Sequence, residues 1–194
     1  MKGLFALSLV LSLLLPVGLA ASGRTEEISK MQEPSAATVG SFGVGVVDGL
    51  HLTGTPIDVN IDEYRLKISG LVDRPLSVSY DDLRSMRSVR RSAILVCPGV
   101  FRDEGMWTGV PLKSLLDRAG LRVGAATVVF RSIDGSYEQK LPLAEARSSG
   151  VYLAYAFNGK IFDPRNGYPL RLVAEGEAGS VWVKWLGEIE VIGK

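Results

Sequence analysis

The sequence predicts an α+β domain with a compact, mixed β core and short helices. Three observations carry this. Apolar residues recur in short runs of strand period. Only three stretches carry a helical pattern. The 22 glycines of the 194-residue chain are scattered and punctuate those runs as turns rather than clustering. A composition of 46% hydrophobic and 22% charged residues is that of an ordinary globular chain. The net charge of +1 leaves no basic field for nucleic acid, which excludes that partner class.

The chain opens on Met1-Lys2, an apolar run from Leu4 to Leu15, then Pro16 and the small residues Gly18-Leu19-Ala20. This is the pattern of a secretory signal peptide over residues 1–20, with cleavage after Ala20; an uncleaved anchor is the alternative. The first ten residues hold no twin arginine, so export by a Sec-type route to the periplasm or the extracellular space is expected. Residues 21–49 are polar and rich in small side chains and read as a flexible linker. The domain is expected over residues 50–194.

Within it, Tyr64, Leu66 and Ile68 alternate along a strand that ends at Gly70. Leu76 to Ser79 reads as a second, short strand. Ser79 is a plausible N-cap, with Asp81 and Asp82 in the first turn of a helix reaching Met86. Val89 to Val96 is a strand that leads to Cys97. Pro98-Gly99 ends it, and the residues up to Trp107-Thr108-Gly109 read as a loop. A helix begins at Pro111, with Leu112, Leu115, Leu116 and Ala119 on one face and Gly120 beyond its end. Ala126–Arg131 and Tyr137–Leu141 form a pair around the Asp134-Gly135 turn. Leu143–Arg147 is a turn or two of helix. Val151–Phe157, Pro169–Val173, Val181–Trp185 and Glu188–Ile192 read as strands.

Cys97 is the only cysteine, so it has no internal disulfide partner in an oxidising compartment. Three roles are open for it: a metal ligand, a nucleophile, or a buried inert residue. A nucleophile needs a base, and the single histidine, His51, lies 46 positions upstream.

Several blocks then resemble the molybdopterin-binding domain of the sulfite oxidase family: Leu66-Lys-Ile-Ser-Gly70 with Arg74-Pro75, Leu95-Val-Cys97-Pro-Gly, and Trp107-Thr-Gly-Val-Pro-Leu112. Asp134-Gly135, Leu153-Ala-Tyr155, Gly167-Tyr-Pro-Leu-Arg171 and Val183-Lys184-Trp185 follow in the family's order, across nearly the whole expected domain. The resemblance implies a sulfite-oxidase-type fold that buries molybdopterin in a central cleft, with the Cys97 thiolate on molybdenum. A soft thiolate suits that metal. It further implies pterin contacts from Arg171, Lys184 and His51, with Arg102 and Asp103 within reach of the metal pocket and Arg102 placed for substrate. The expected function is an exported oxidoreductase performing two-electron oxo transfer on a small substrate and passing electrons to a haem or membrane redox partner.

The chain departs from the family's pattern at four points. It lacks the twin arginine. Val181 stands where a basic residue is usual. Glu175 and Glu177 place negative charge in a loop expected near a phosphate, and Asn166 replaces a histidine. These keep a second reading open, a cofactor-free exported binding or partner module on the same fold.

Overall fold

The computed structural model describes residues 45–194. The expected signal peptide and most of the expected linker lie outside the described residues. The last part of that linker is inside them: β1 (Val46–Val47) and β2 (Leu50–His51) form an antiparallel hairpin. The ordered fold therefore starts before residue 50. No helix among the described residues is long and apolar enough to cross a membrane.

Two five-stranded sheets carry the core. The first runs β10 (Lys160–Ile161), β9 (Val151–Phe157), β6 (Phe101–Pro111), β5 (Val89–Cys97), all antiparallel, and β11 (Arg171–Ala174) shares the β9 edge with β10. The second runs β4 (Leu76–Val78), β3 (Leu66–Gly70), β12 (Leu186–Ile192), β7 (Thr127–Ser132), β8 (Glu138–Pro142). Its β3–β12 pair is parallel and the others are antiparallel, so the core is mixed as expected.

Sequence pattern explains most of these elements. Leu66 and Ile68 of β3 are buried and Lys67 between them is exposed, the alternation of a strand with one covered face. β9 is buried along nearly its whole length, which suits its apolar run and its position between β6 and β11. Helix α1 (Tyr80–Ser85) starts at the Ser79 cap, where the hydroxyl accepts from the Asp82 N–H and the Asp82 carboxylate accepts from the Ser79 N–H. Helix α2 (Leu112–Ala119) buries Leu112, Leu115, Leu116 and Ala119, and Gly120 ends it at φ +73°. A single turn, α3 (Leu143–Ala146), follows β8.

Two expectations fail. The expected loop after Cys97 is a tight turn followed by an eleven-residue strand. Gly99 turns at φ +72°, the Val100 N–H bonds to Cys97 O, and β6 pairs with β5 from Phe101↔Cys97 to Gly109↔Val89. Arg-Asp-Glu-Gly looks like loop, but the unbroken ladder with β5 overrides weak local propensity. Val181–Trp185 is not a strand. Gly179–Val181 is a 3₁₀ turn, and the chain then passes from one sheet to the other with Trp185 at φ +48°.

Trp107 is fully buried at the centre of the first sheet's inner face. Its ring packs edge-on against Phe157 at 4.7 Å and Trp182 at 5.3 Å, and its N–H donates to Ala93 O. Gly109, two residues on, sits at a bulge where β6 presses on β9. A Cβ there would collide with the Leu153 carbonyl and the Ala154 Cα. Gly109→Ala is expected to destabilise the domain by about 1–3 kcal/mol, read as a lower urea midpoint in equilibrium unfolding.

Candidate active-site cleft

A cleft of about 480 Å³ opens where the chain crosses between the sheets. The first sheet contributes Cys97 at the end of β5, Phe101 at the start of β6 and Arg171 at the start of β11. The second contributes Ser132 and the turn residues Asp134, Ser136 and Tyr137. His51 and the Thr53–Ile57 segment form one wall, and the crossing segment supplies Gly179, Ser180, Trp182, Lys184 and Trp185.

The structure thus brings His51, Cys97, Arg171 and Lys184 together. It does not bring Arg102. The strand period sends Phe101 and Asp103 inward and Arg102 to the other face, where it lies 3.3 Å from Glu104. The expectation that Arg102 lines the pocket is corrected by the strand it stands on. Asp103 does point inward, and both of its oxygens meet His51.

Cys97 sits half-buried under the crossing segment. A Cβ on Gly179 would stand 2.6 Å from its sulfur, so only glycine lets the backbone pass there. Burial and the Asp103 carboxylate push the thiol pKa up, and Arg171 and Lys184 partly offset this. The unligated side chain is therefore a thiol at neutral pH, and a metal binding there displaces its proton.

Arg171 is buried, with 3% of its surface exposed, and forms no ion pair with a carboxylate among the described residues. Its guanidinium lies over the rings of Trp107 (5.2 Å) and Phe162 (5.7 Å) and donates from Nη1 to Asn166 O. Burial pulls its pKa down to about 10, and Asp103 and Cys97 counteract that pull. It still carries its charge at neutral pH. Its Nε is a buried donor with no partner among the described residues.

Lys184 donates to Thr53 O at 2.6 Å and lies 5.0 Å from the Trp185 ring centre. Burial first, and then the Arg171 charge, lower its pKa to about 7.

The donor set fits a flat, anionic, metal-bearing group: one soft thiol, one buried and one half-buried basic side chain without carboxylate partners, an orphaned guanidinium N–H and aromatic walls. The three departures within the described residues do not spoil this fit. Glu175 is held by Arg91 in a two-pronged pair (2.7 and 2.8 Å), and neither it nor Glu177 lines the cleft. Val181 packs against the core. Asn166 is buried between β1 and Arg171, donating to Val47 O and accepting from the guanidinium. The twin-arginine position lies outside the described residues. The Thr53–Ile57 wall and the Ser136-Tyr137 turn carry no sequence signal beyond turn and loop chemistry.

A family model described as oxidoreductase molybdopterin binding domain matches residues 52–194. The chain is 37% identical over 161 residues to a nitrate reductase [NADH] of Volvox carteri, across 66% of this chain and 19% of that protein. It is 28% identical over 174 residues to a sulfite oxidase of Arabidopsis thaliana, across 72% of this chain and 44% of that protein. It is 30% identical over 142 residues to the uncharacterized oxidoreductase YuiH of Bacillus subtilis, across 73% and 71%. The chain thus spans about a fifth of the length of the nitrate reductase and under half that of the sulfite oxidase it matches. The sulfane dehydrogenase SoxCD of Paracoccus pantotrophus superposes with a TM-score of 0.68 over 92% of this chain and 54% of that one. At 24% identity, that is a likeness of fold.

Lys184 gives the ligand-free cleft a testable pH signature. Its folded pKa of about 7 lies below its ordinary 10.5, so between these values the unfolded chain holds a proton that the folded chain has released. The Lys184 contribution to stability therefore rises with pH from about 7 to about 10.5 and is least favourable below 7. In urea titrations of the ligand-free protein, any stability advantage of Lys184→Met over wild type should shrink across this window. A difference independent of pH would contradict the shift.

Proposed function

The chain belongs to the oxidoreductase molybdopterin-binding domain family, and from that premise we propose that it is an exported oxidoreductase whose molybdenum–pterin centre is held by Cys97. The observation that carries the reading is the Cys97 thiol sharing a cleft with the buried Arg171 guanidinium and the half-buried Lys184 amine, neither of which pairs with a carboxylate among the described residues. Among the described residues no group of three or more His, Cys, Asp or Glu side chains is arranged to hold a metal. In this reading a metal at Cys97 takes its remaining donors from a non-protein ligand, as a pterin dithiolene supplies.

The chemistry such a cofactor supplies is a two-electron oxo transfer on a small substrate. The protein's part follows from its own side chains. Cys97 gives one thiolate donor and releases its proton on binding. Arg171, through its free Nε, and Lys184 bind the anionic part of the group, each charge-assisted hydrogen bond contributing about 1.5–3 kcal/mol. Trp182 and Trp185 line the cleft and would offer apolar walls to such a group, while Phe101 backs the His51 ring. The Tyr137 hydroxyl donates to Ser180 O at 2.6 Å and ties the β7–β8 turn to the segment over Cys97, which narrows the entrance. Electrons pass to a separate haem or membrane redox partner in this reading, and the N-terminal segment directs the chain to the periplasm or the cell exterior.

Protein purified from its own host with molybdate supplied should hold close to one molybdenum and one fluorescent pterin per chain. Cys97→Ser should keep the fold and lose most of the molybdenum. Wild-type protein with neither metal nor pterin would overturn the reading and favour the cofactor-free module.

A further inference from the structure

The Asp103–His51 pair is not needed to hold either sheet together. Asp103 lies on β6, which pairs with β5 along nearly its whole length, Asp103 opposite Leu95, and with β9 from Trp107 onward. His51 lies on β2 of the small hairpin that belongs to neither main sheet. The carboxylate is 4% exposed, and both its oxygens are spent on one residue. Oδ2 accepts the His51 backbone N–H at 2.9 Å, and Oδ1 faces His51 Nδ1 at 2.5 Å. The imidazole stacks on Phe101 with ring centres 4.5 Å apart and planes 13° apart.

These three contacts define the ring completely. The backbone bond fixes where His51 sits relative to Asp103. The stack fixes the plane of the ring. The bond to Nδ1 fixes which edge faces inward and excludes the flipped ring. An ionised carboxylate only accepts hydrogen bonds, so the proton in the short contact resides on Nδ1. Asp103, which Nδ1 faces, does not line the cleft and His51 does, so we take the opposite, Nε2 edge as the one turned to it.

We propose that Asp103 is a positioning residue: it holds His51 in the Nδ1–H tautomer, so that Nε2 presents a lone pair to the cleft and accepts a hydrogen bond from an N–H of the bound heterocycle. This rests on the proposed function for the identity of the ligand, though not for the state of the ring. It divides the cleft by chemistry. Arg171 and Lys184 are donors and take anionic oxygen, and His51 is an acceptor and takes N–H. A pterin ring, which carries amino and ring N–H groups, meets the second kind of partner. A histidine in the wrong tautomer would present N–H to N–H, a repulsive contact in place of a bond.

The test uses the full chain, in which His51 is the only histidine, so its ring signals need no assignment. Long-range ¹H–¹⁵N correlation spectra of the ligand-free protein at neutral pH should show Nδ1 protonated and Nε2 unprotonated. Asp103→Asn keeps the shape of the side chain, but its amide donates to Nδ1 and should invert the tautomer to Nε2–H. The same variant, loaded with cofactor, should lose fluorescent pterin about 10-fold faster than wild type. Wild-type protein with Nε2 protonated, as the other tautomer or as imidazolium, overturns the proposal without any variant having to fold. Inverted tautomer with an unchanged pterin release rate overturns the acceptor role. Wild-type protein that carries no pterin sinks the functional reading instead, and leaves the tautomer spectra to decide the role of Asp103.

Discussion

A buried guanidinium without a carboxylate partner is the constraint around which this domain is arranged. Burying a bare cation is costly, and Arg171 avoids neutralisation only because its surroundings keep the charged form in place. The rings of Trp107 and Phe162 present their negative faces, the Asn166 carbonyl accepts from Nη1, and Asp103 acts through space. Each of these belongs to a different part of the fold. Trp107 comes from the middle of β6, Asn166 from the turn before β11, and Asp103 from the start of β6. The arrangement leaves Nε unpaired. The fold thus assembles several groups around one cation and leaves one of its donors open toward a ligand.

The cleft exists because the two sheets are separate. Leu172 and Leu186 bond to Val183 O and Leu170 O, so the segment between β11 and β12 is pinned at the first sheet as it leaves for the second. Gly179 passes directly over the Cys97 sulfur, and Lys184 and Trp185 follow within a few residues. One short crossing therefore places a lid over the thiol and a cation and an aromatic wall beside it. Since β12 is the central strand of the second sheet, the position of the crossing is fixed by packing on both sides.

The sequence made much of this legible. Strand alternation in β3, the Ser79 cap and the apolar face of α2 follow local rules, and they appear where those rules put them. The gathering of Cys97, His51, Arg171 and Lys184, spread across 134 positions, came from resemblance to a family and not from any local pattern. Arg102 shows the limit. Its distance from Cys97 in sequence suggested proximity to the metal, but its direction depended on whether residues 101–111 form a strand. Their polar composition concealed that pairing. Val181–Trp185 failed in the opposite way. Its apolar run imitates a strand, yet Trp182 and Val183 are buried one after the other, which an alternating strand with one covered face does not do. The acidic loop was misjudged for a third reason: charge in sequence says nothing of partners, and Arg91, 84 positions away, occupies Glu175.

The two basic side chains of the cleft do not carry their charges equally. Arg171 is charged at neutral pH, but Lys184, lowered to about 7 mainly by burial and then by Arg171, holds its proton only part of the time. Two full positive charges in one dry cleft would repel, and the lysine yields first because its ordinary pKa is the lower of the two. An anion entering the cleft reverses the balance. Its charge favours the protonated lysine, so binding draws a proton onto Lys184 while a metal at Cys97 releases one from the thiol. The two transfers have opposite sign. The lysine gains only the part of a proton it lacks, so a group engaging both side chains would release protons on balance at neutral pH, an anion that avoids the sulfur would take up part of one, and a bare cation at the sulfur would release one.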